Sequence, residues 1–371
     1  RLLEEQHTSI ARSLQYNTGQ CIPINIMAQE YIDYMEKYSL DPAQCILWMA
    51  NGQIACNLKL IPHHIKSILD SYGHGMEKAQ VYQGDISLMD ISLRAAMNGY
   101  LAFMFGGMLR RIVCKIRPYE IEKGRTETAM ADCLRLFSEA FAGRMSKEDA
   151  LRIMVHDFEH IPVKKESRPK VAIFGDLYVR DNDLANQDLI RFIEENAGEV
   201  ITTPYSTYAK MIARPYFRKW LTEGKYIHTI SARAVFSTLI TLEKRYYKYF
   251  QHVLNEPDHT FNDSSEAILA KFRLIPEHTG ESMDNILKIH YIKKFYPDVA
   301  LFIQTSPAFC CASMVTDAMA RQIESLTGVP IVNITYDGTF GNKNNVIIPY
   351  LAYPRRIPLT NSRNAEKIGA S

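Results

Sequence analysis

The sequence predicts an α/β protein built from two Rossmann-like, doubly wound, mostly parallel sheets, the second interrupted by a large helical insertion. Two observations carry this expectation. Short apolar runs closed by glycine or polar turns alternate with helical stretches, the rhythm of βαβ units. A charged segment with two prolines, Ile161-Pro162-Val163-Lys164-Lys165-Glu166-Ser167-Arg168-Pro169-Lys170, divides the chain into residues 1–162 and 170–371. A length of 371 residues accommodates two or three domains.

In the first part, Cys21 and Pro23 precede a helix carrying Ile26, Met27, Tyr31, Ile32 and Met35. Cys45-Ile46-Leu47-Trp48-Met49 reads as a strand, His63–Leu69 as a helix and Ala79-Gln80-Val81-Tyr82 as a second strand. Helices then dominate from about 87 to 160. The last of them opens at Ser146 and Asp149 with capping-box spacing. The longest apolar run, between Arg94 and Arg110, is interrupted by Asn98, Gly99, Gly106 and Gly107. It falls short of the about twenty residues a membrane span needs, so a buried core helix is expected.

The second part opens on Val171-Ala172-Ile173-Phe174-Gly175, a strand apolar at every position, as a sheet buried on both faces requires. A helix with Leu184, Leu189, Ile190, Phe192 and Ile193 follows. Gly198 ends it before a strand at Glu199-Val200-Ile201-Thr202-Thr203. Residues about 206–296 form the helical insertion, including one long amphipathic helix over Ala232–Leu254. A second βαβ unit runs from the strand Val299-Ala300-Leu301-Phe302-Ile303 through a helix near 312–326 to the strand Ile331-Val332-Asn333-Ile334-Thr335.

Composition narrows the function. The chain is 47% hydrophobic and 23% charged, an ordinary globular balance, and its net charge is +2. Nucleic acid is not an expected partner, because that footprint needs clustered Lys and Arg. No membrane partner is expected either. The first residues lack a signal-peptide core, and seven cysteines in a chain large enough to build its own core point to a reducing cytoplasm. A start at Arg1 is expected of a piece of a longer chain.

Three cysteine positions share one context. Cys21 follows Asn17-Thr18-Gly19-Gln20; Cys56 follows a strand and the loop Asn51-Gly52-Gln53; Cys310 and Cys311 follow a strand and the turn Ser306-Pro307. Each lies in a loop leading to a helix, where unpaired amides and the helix dipole stabilise a thiolate. Two of the loops also leave the carboxyl end of a parallel strand, where α/β folds bind ligands. Three such thiolates could converge on one metal centre. The spacing alone equally allows small apolar core residues, since it matches neither a zinc ribbon nor a ferredoxin run. Cys45, Cys114 and Cys133 read as core. His156 and His160 read as a solvated helix end, and His63 and His64 as a helix start.

Two polar loops follow predicted strands. Asp176, Arg180, Asp181 and Asp183 could contact a ligand or cap a helix. Thr335, Asp337 and Gly338 open a loop able to offer amides to a ligand. It lacks Walker A and dinucleotide glycine spacing, so no nucleotide site is expected in this chain.

Several blocks resemble a known family. Asn17-Thr18-Gly19-Gln20-Cys21-Ile22-Pro23, Arg117-Pro118-Tyr119-Glu120, Phe174-Gly175-Asp176-Leu177-Tyr178-Val179-Arg180-Asp181-Asn182-Asp183, Ser306-Pro307-Ala308-Phe309-Cys310-Cys311 and Ile334-Thr335-Tyr336-Asp337-Gly338 look like the activase-related proteins of the 2-hydroxyacyl-CoA dehydratase and benzoyl-CoA reductase group. The resemblance covers about residues 1 to 355, and in that family this stretch is similar to the C-terminal part of a longer polypeptide. It implies an iron–sulfur cluster, of the 4Fe–4S type, held by Cys21, Cys56 and Cys310, with Cys311 the alternative to Cys310. It implies low-potential electrons from ATPase activator modules of the sugar kinase/actin/Hsp70 type, and an acyl-CoA or other small-molecule substrate. Two further readings stay open: a non-enzymatic interaction or regulatory module, and a structural zinc site on the same thiolates.

Overall fold

The computed structural model describes residues 3, 6–50, 56, 60–84, 92–256, 259–275 and 280–354. Its elements alternate as an α/β chain. After a short helix α1 (His7–Ser13) come α2 (Ile22–Lys37), β1 (Ile46–Ala50), α3 (Ile61–Tyr72) and β2 (Gln80–Gly84). Three helices follow, α4 (Leu93–Ile116), α5 (Arg125–Phe141) and α6 (Lys147–Glu159). Beyond the two-proline segment lie β3 (Lys170–Gly175), the single turn α7 (Leu177–Arg180), α8 (Leu189–Glu195) and β4 (Glu199–Ile201). The helical insertion holds α9 (Tyr205–Thr222), α10 (Tyr226–Leu254), α11 (Ser265–Ala270) and α12 (Glu281–Phe295). The chain closes with β5 (Val299–Pro307), α13 (Cys311–Ala318), α14 (Ala320–Thr327), β6 (Ile331–Tyr336) and α15 (Ile348–Ala352).

Both sheets are parallel. β1 pairs with β2, and a four-stranded sheet has the order β4-β3-β5-β6. Alternate residues of β3 enter two cores. Val171 and Ile173 pack with Leu189, Ile193 and Leu351 on one face; Ala172 and Phe174 pack with Met283, Leu287 and Phe302 on the other. A sheet buried on both faces explains why β3 carries no polar alternation. Among the described residues, the first half has a two-stranded sheet where a full Rossmann-like sheet was expected. Its α2 and α3 pack together through Ile24, Ile32, Ile65 and Leu69.

Individual elements follow their sequence signals. Ser146 caps α6 by accepting the Asp149 amide at 3.0 Å. The run between Arg94 and Arg110 is the middle of α4, whose Met104, Phe105, Met108 and Ile112 are buried against α5, α6 and the end of α10. The long insertion helix begins six residues before the expected Ala232, at Tyr226. The expected helix near 312–326 is two, divided at Met319. Cys45 is not inside a strand: it is half-buried just before β1. No helix among the described residues is long and apolar enough to cross a membrane.

The strand order creates the site. Chain order runs β3, β4, then across to the other side of β3 for β5. The crevice outside the carboxyl ends of β3 and β5 is therefore the topological switch point, where open α/β sheets bind ligands.

Candidate metal centre

Residues from four stretches of chain meet at that crevice. From β3 comes Asp176, whose amide donates to the Thr305 carbonyl at 3.0 Å, keeping it level with the end of β5. Its Oδ1 accepts the Val179 amide at 2.8 Å, capping α7. From β5, the chain turns at Phe309, a non-glycine residue at φ 64°, so that Cys310 becomes the N-cap of α13. Cys21 is the N-cap of α2. The next amide, Ile22, donates to the Ala308 carbonyl at 3.3 Å, fastening the Cys21 loop to the Cys310 loop. Ile22 and Ile26 pack on Ala308 beneath that contact. Glu281, the first residue of α12, accepts the Leu177 amide at 3.0 Å and so leans on the turn after Asp176.

The donor atoms of Asp176, Glu281 and Cys310 all lie within 4.8 Å of one another. Cys21 and Cys56 stand outside this tight set yet close enough for charge to be felt. Burial first, then the charges of Cys310, Asp176, Cys56 and Glu281, push the Cys21 thiol far above its ordinary range. Burial likewise raises Cys310 to about 12, although the Ser313 amide at the start of α13 favours its thiolate. Asp176 and Glu281 are both raised by burial; for Asp176 the Glu281 charge adds to the effect. Cys310 is buried, Cys21 half-buried and Cys56 exposed.

Three groups that become anions, Asp176, Glu281 and Cys310, thus meet, and protein cations lie beside them. Arg180 and Lys288, both buried, favour the ionised form of Glu281. Arg180 Nη2 pairs with Asp181 at 2.6 Å, while Nη1 has no hydrogen-bond partner among the described residues. Lys288 Nζ, also without a hydrogen-bond partner among the described residues, lies 5.0 Å from the Tyr208 ring centroid. Burial lowers Lys288 to about 8, and Asp284, bonded to the Tyr208 hydroxyl at 2.6 Å, is raised by burial to about 6.

The residues present fit a thiolate-bound metal group. A metal cation would replace protons on acids whose neutral form burial favours. Among the described residues, Cys310 is the one thiol in the set whose donor atoms lie within 4.8 Å of one another, so a single ion there would meet one thiolate and two carboxylates.

The other candidates fall around this centre. Cys311 is half-buried as the first residue of α13, outside the tight set that contains Cys310. Asp181 and Asp183 turn to Arg110 of α4, each at 3.2 Å. Thr335 belongs to β6, and Asp337 is engaged by Thr339 and Lys343. Asp337 and Gly338 line a cleft of about 230 Å³ with Ile22, Tyr178 and Pro307, next to the thiols. A larger cleft of about 710 Å³ lies at the ends of β3 and β4, walled by Leu177, Pro204, Tyr205 and the α4 residues Gly99, Gly106 and Gly107. Cys114 and Cys133 are core. His156 and His160 are exposed at the end of α6, their rings 4.3 Å apart. His63 and His64 are exposed in the first turn of α3.

Glu281, Asp284 and Lys288 were not anticipated. Their signal was present: charges at positions 281, 284 and 288 in a helix whose Met283, Ile286, Leu287 and Ile289 leave it no outward face. No family model, curated protein or solved structure matches the chain.

The burial pattern sets a measurable order of reactivity. Alkylation by iodoacetamide at neutral pH in the metal-free protein should modify exposed Cys56 first and Cys21 and Cys310 many times more slowly, because the thiolate is the reactive form. Peptide mapping over time measures this. Raising the pH should accelerate Cys310 more than tenfold.

Proposed function

We propose that this chain is an iron–sulfur protein of the dehydratase-component type, accepting low-potential electrons from an ATP-driven activator. Cys21, Cys56 and Cys310 would hold the cluster, of the 4Fe–4S type. What supports the reading is the tie between the Cys21 and Cys310 loops, where the Ile22 amide donates to the Ala308 carbonyl at 3.3 Å beyond the end of β5. When bound, such a cluster supplies one-electron transfer and, at an iron without a thiolate, Lewis acidity. The chain's own contribution is to hold Cys21 and Cys310 on loops fastened to each other beyond the end of β5. The Ser313 amide stabilises the thiolate of Cys310, and Arg180 and Lys288 provide positive charge beside Glu281.

The cleft of about 710 Å³ has the size and apolar walls of a small-molecule site and would receive an acyl-CoA or other small substrate. Activator modules of the sugar kinase/actin/Hsp70 type would be the electron-delivering partner. The family assignment and the organisation as two Rossmann-like units belong to the same proposal.

The test is iron and acid-labile sulfide per chain after anaerobic purification and reconstitution. Roughly four irons with matching sulfide are expected, falling to near zero in Cys21→Ser and Cys310→Ser. A protein that takes up one zinc per chain, no sulfide and no colour, with the zinc lost in the same cysteine variants, is instead the structural zinc reading. Metal-free, colourless protein under every condition would leave the interaction-module reading.

A further inference from the structure

We propose that His156 and His160 chelate a divalent transition-metal ion of the zinc, nickel and copper class at the surface end of α6. The site is separate from the candidate centre at the β3/β5 crevice, and neither reading depends on the other.

Helical spacing puts the two rings together. Residues three and four apart on a helix are neighbours, so His156-Asp157-Phe158-Glu159-His160 places two imidazoles one turn apart with a glutamate on the same side. This H-x-x-E-H order is the inverted zinc-binding spacing, a pattern that by itself identifies no activity. Phe158 is buried with Leu151 and Met154, whereas His156, Glu159 and His160 are exposed, so core packing does not account for the pair of rings. Their centroids are 4.3 Å apart and the planes are tilted by 32°.

Hydrogen bonds fix which nitrogens are free. His160 Nδ1 lies 2.6 Å from the His156 carbonyl oxygen, and a carbonyl only accepts, so Nδ1 carries the proton and donates it. His156 Nδ1 lies 3.2 Å from Asp157 Oδ1, again an accepting oxygen. In both neutral rings the lone pair is therefore left on Nε2. Metal-bound histidines are held in this way, with a carbonyl or carboxylate on the other ring nitrogen. An ion bonded to each nitrogen at about 2.0–2.1 Å bridges about 4 Å, which suits rings this close. Glu159 is held aside, its Oε1 bonded to His252 Nε2 of α10 at 2.8 Å. Two protein ligands leave the remaining positions to water, and imidazole nitrogens select zinc, nickel and copper over calcium or magnesium.

The experiment compares untagged wild type with His156→Gln, His160→Gln, the double variant and His63→Gln. His63 is an exposed histidine in the first turn of α3 and serves as the control for exposure alone. All positions are exposed, so circular dichroism should match wild type throughout. The readouts are the imidazole concentration that elutes each protein from immobilised nickel and nickel-ion affinity by equilibrium dialysis. Differences between variants exclude any contribution of the cysteines, which all five proteins share. His156→Gln and His160→Gln should each bind nickel at least about tenfold more weakly and elute earlier, because a chelate loses its effective concentration with either ring. The double variant should then fall within about threefold of either single one, since the two rings act as one unit. His63→Gln should behave as wild type. Affinity unchanged in either single variant of the pair would overturn the proposal. Losses that add independently in the double variant, or an equal loss in His63→Gln, would overturn it as well.

Discussion

Gly175→Ala should unfold the second sheet or cost it more than about 4 kcal/mol, measured as a fall in the urea midpoint. Gly175 ends β3 at φ 118°, a backbone region that side-chain-bearing residues rarely enter. A Cβ there would meet the Thr305 carbonyl oxygen at 2.1 Å and its amide nitrogen at 2.8 Å. Both are backbone atoms of β5 in the ladder that pairs Gly175 with Thr305, so neither can move without parting the two strands. The same change would displace Asp176 from Cys310, so iron uptake should be lost along with stability. A protein with an unchanged midpoint and full iron uptake would show that β3 and β5 do not approach this closely.

Arg117→Met should cost about 3–5 kcal/mol, the penalty for leaving a buried carboxylate without its cation. Arg117 follows α4 and donates through Nε and Nη2 to the two oxygens of Glu194 at 2.6 and 2.9 Å, with Nη1 on Glu127 at 2.9 Å. Arg117 and Glu194 are both buried, so the fork joins α4 to α8 on one face of the four-stranded sheet. Burial raises Glu194 in the folded protein even with Arg117 beside it. The folded state therefore binds the Glu194 proton at higher pH than the unfolded chain, and this group's contribution to stability improves as pH falls through the folded value. Removing the guanidinium raises that value further. The deficit of Arg117→Met should narrow on acidification, and Glu194→Met in the same chain should recover much of it. A deficit independent of pH and untouched by the second change would mean that the pair does not bear on folding.

Much of the second half was legible from residues alone. The four strands of its sheet were each expected within two residues at their starts, because sustained apolar runs ended by Gly175, Gly198 or the turn before Cys310 leave few alternatives. The ends were harder. β4 stops at Ile201 rather than Thr203, and β5 runs on to Pro307, because pairing with β6 continues through Ser306 and Pro307. The first half was less legible. Ile46, Trp48 and Tyr82 are exposed, so among the described residues β1 and β2 have strand-like residues without a second buried face, and local propensity signalled strands but not the size of their sheet.

At the candidate centre, sequence singled out Cys21, Cys310 and Asp176 through features local to each: a loop, a strand end, a helix start. By itself it determined the α/β class, the helical insertion and those helix-start thiols, because each is written in a short window of apolar period or turn chemistry. Only the tertiary structure decided that β5 lies beside β3, which brings Cys310 to Asp176, and that α2 docks on Ala308, which brings in Cys21. It alone placed Glu281 and Lys288, more than one hundred residues from Asp176 along the chain, beside the same crevice. Those partners are selected by the packing of whole faces of helix and sheet, and the free energy of that packing is distributed over dozens of apolar contacts rather than carried by any one segment.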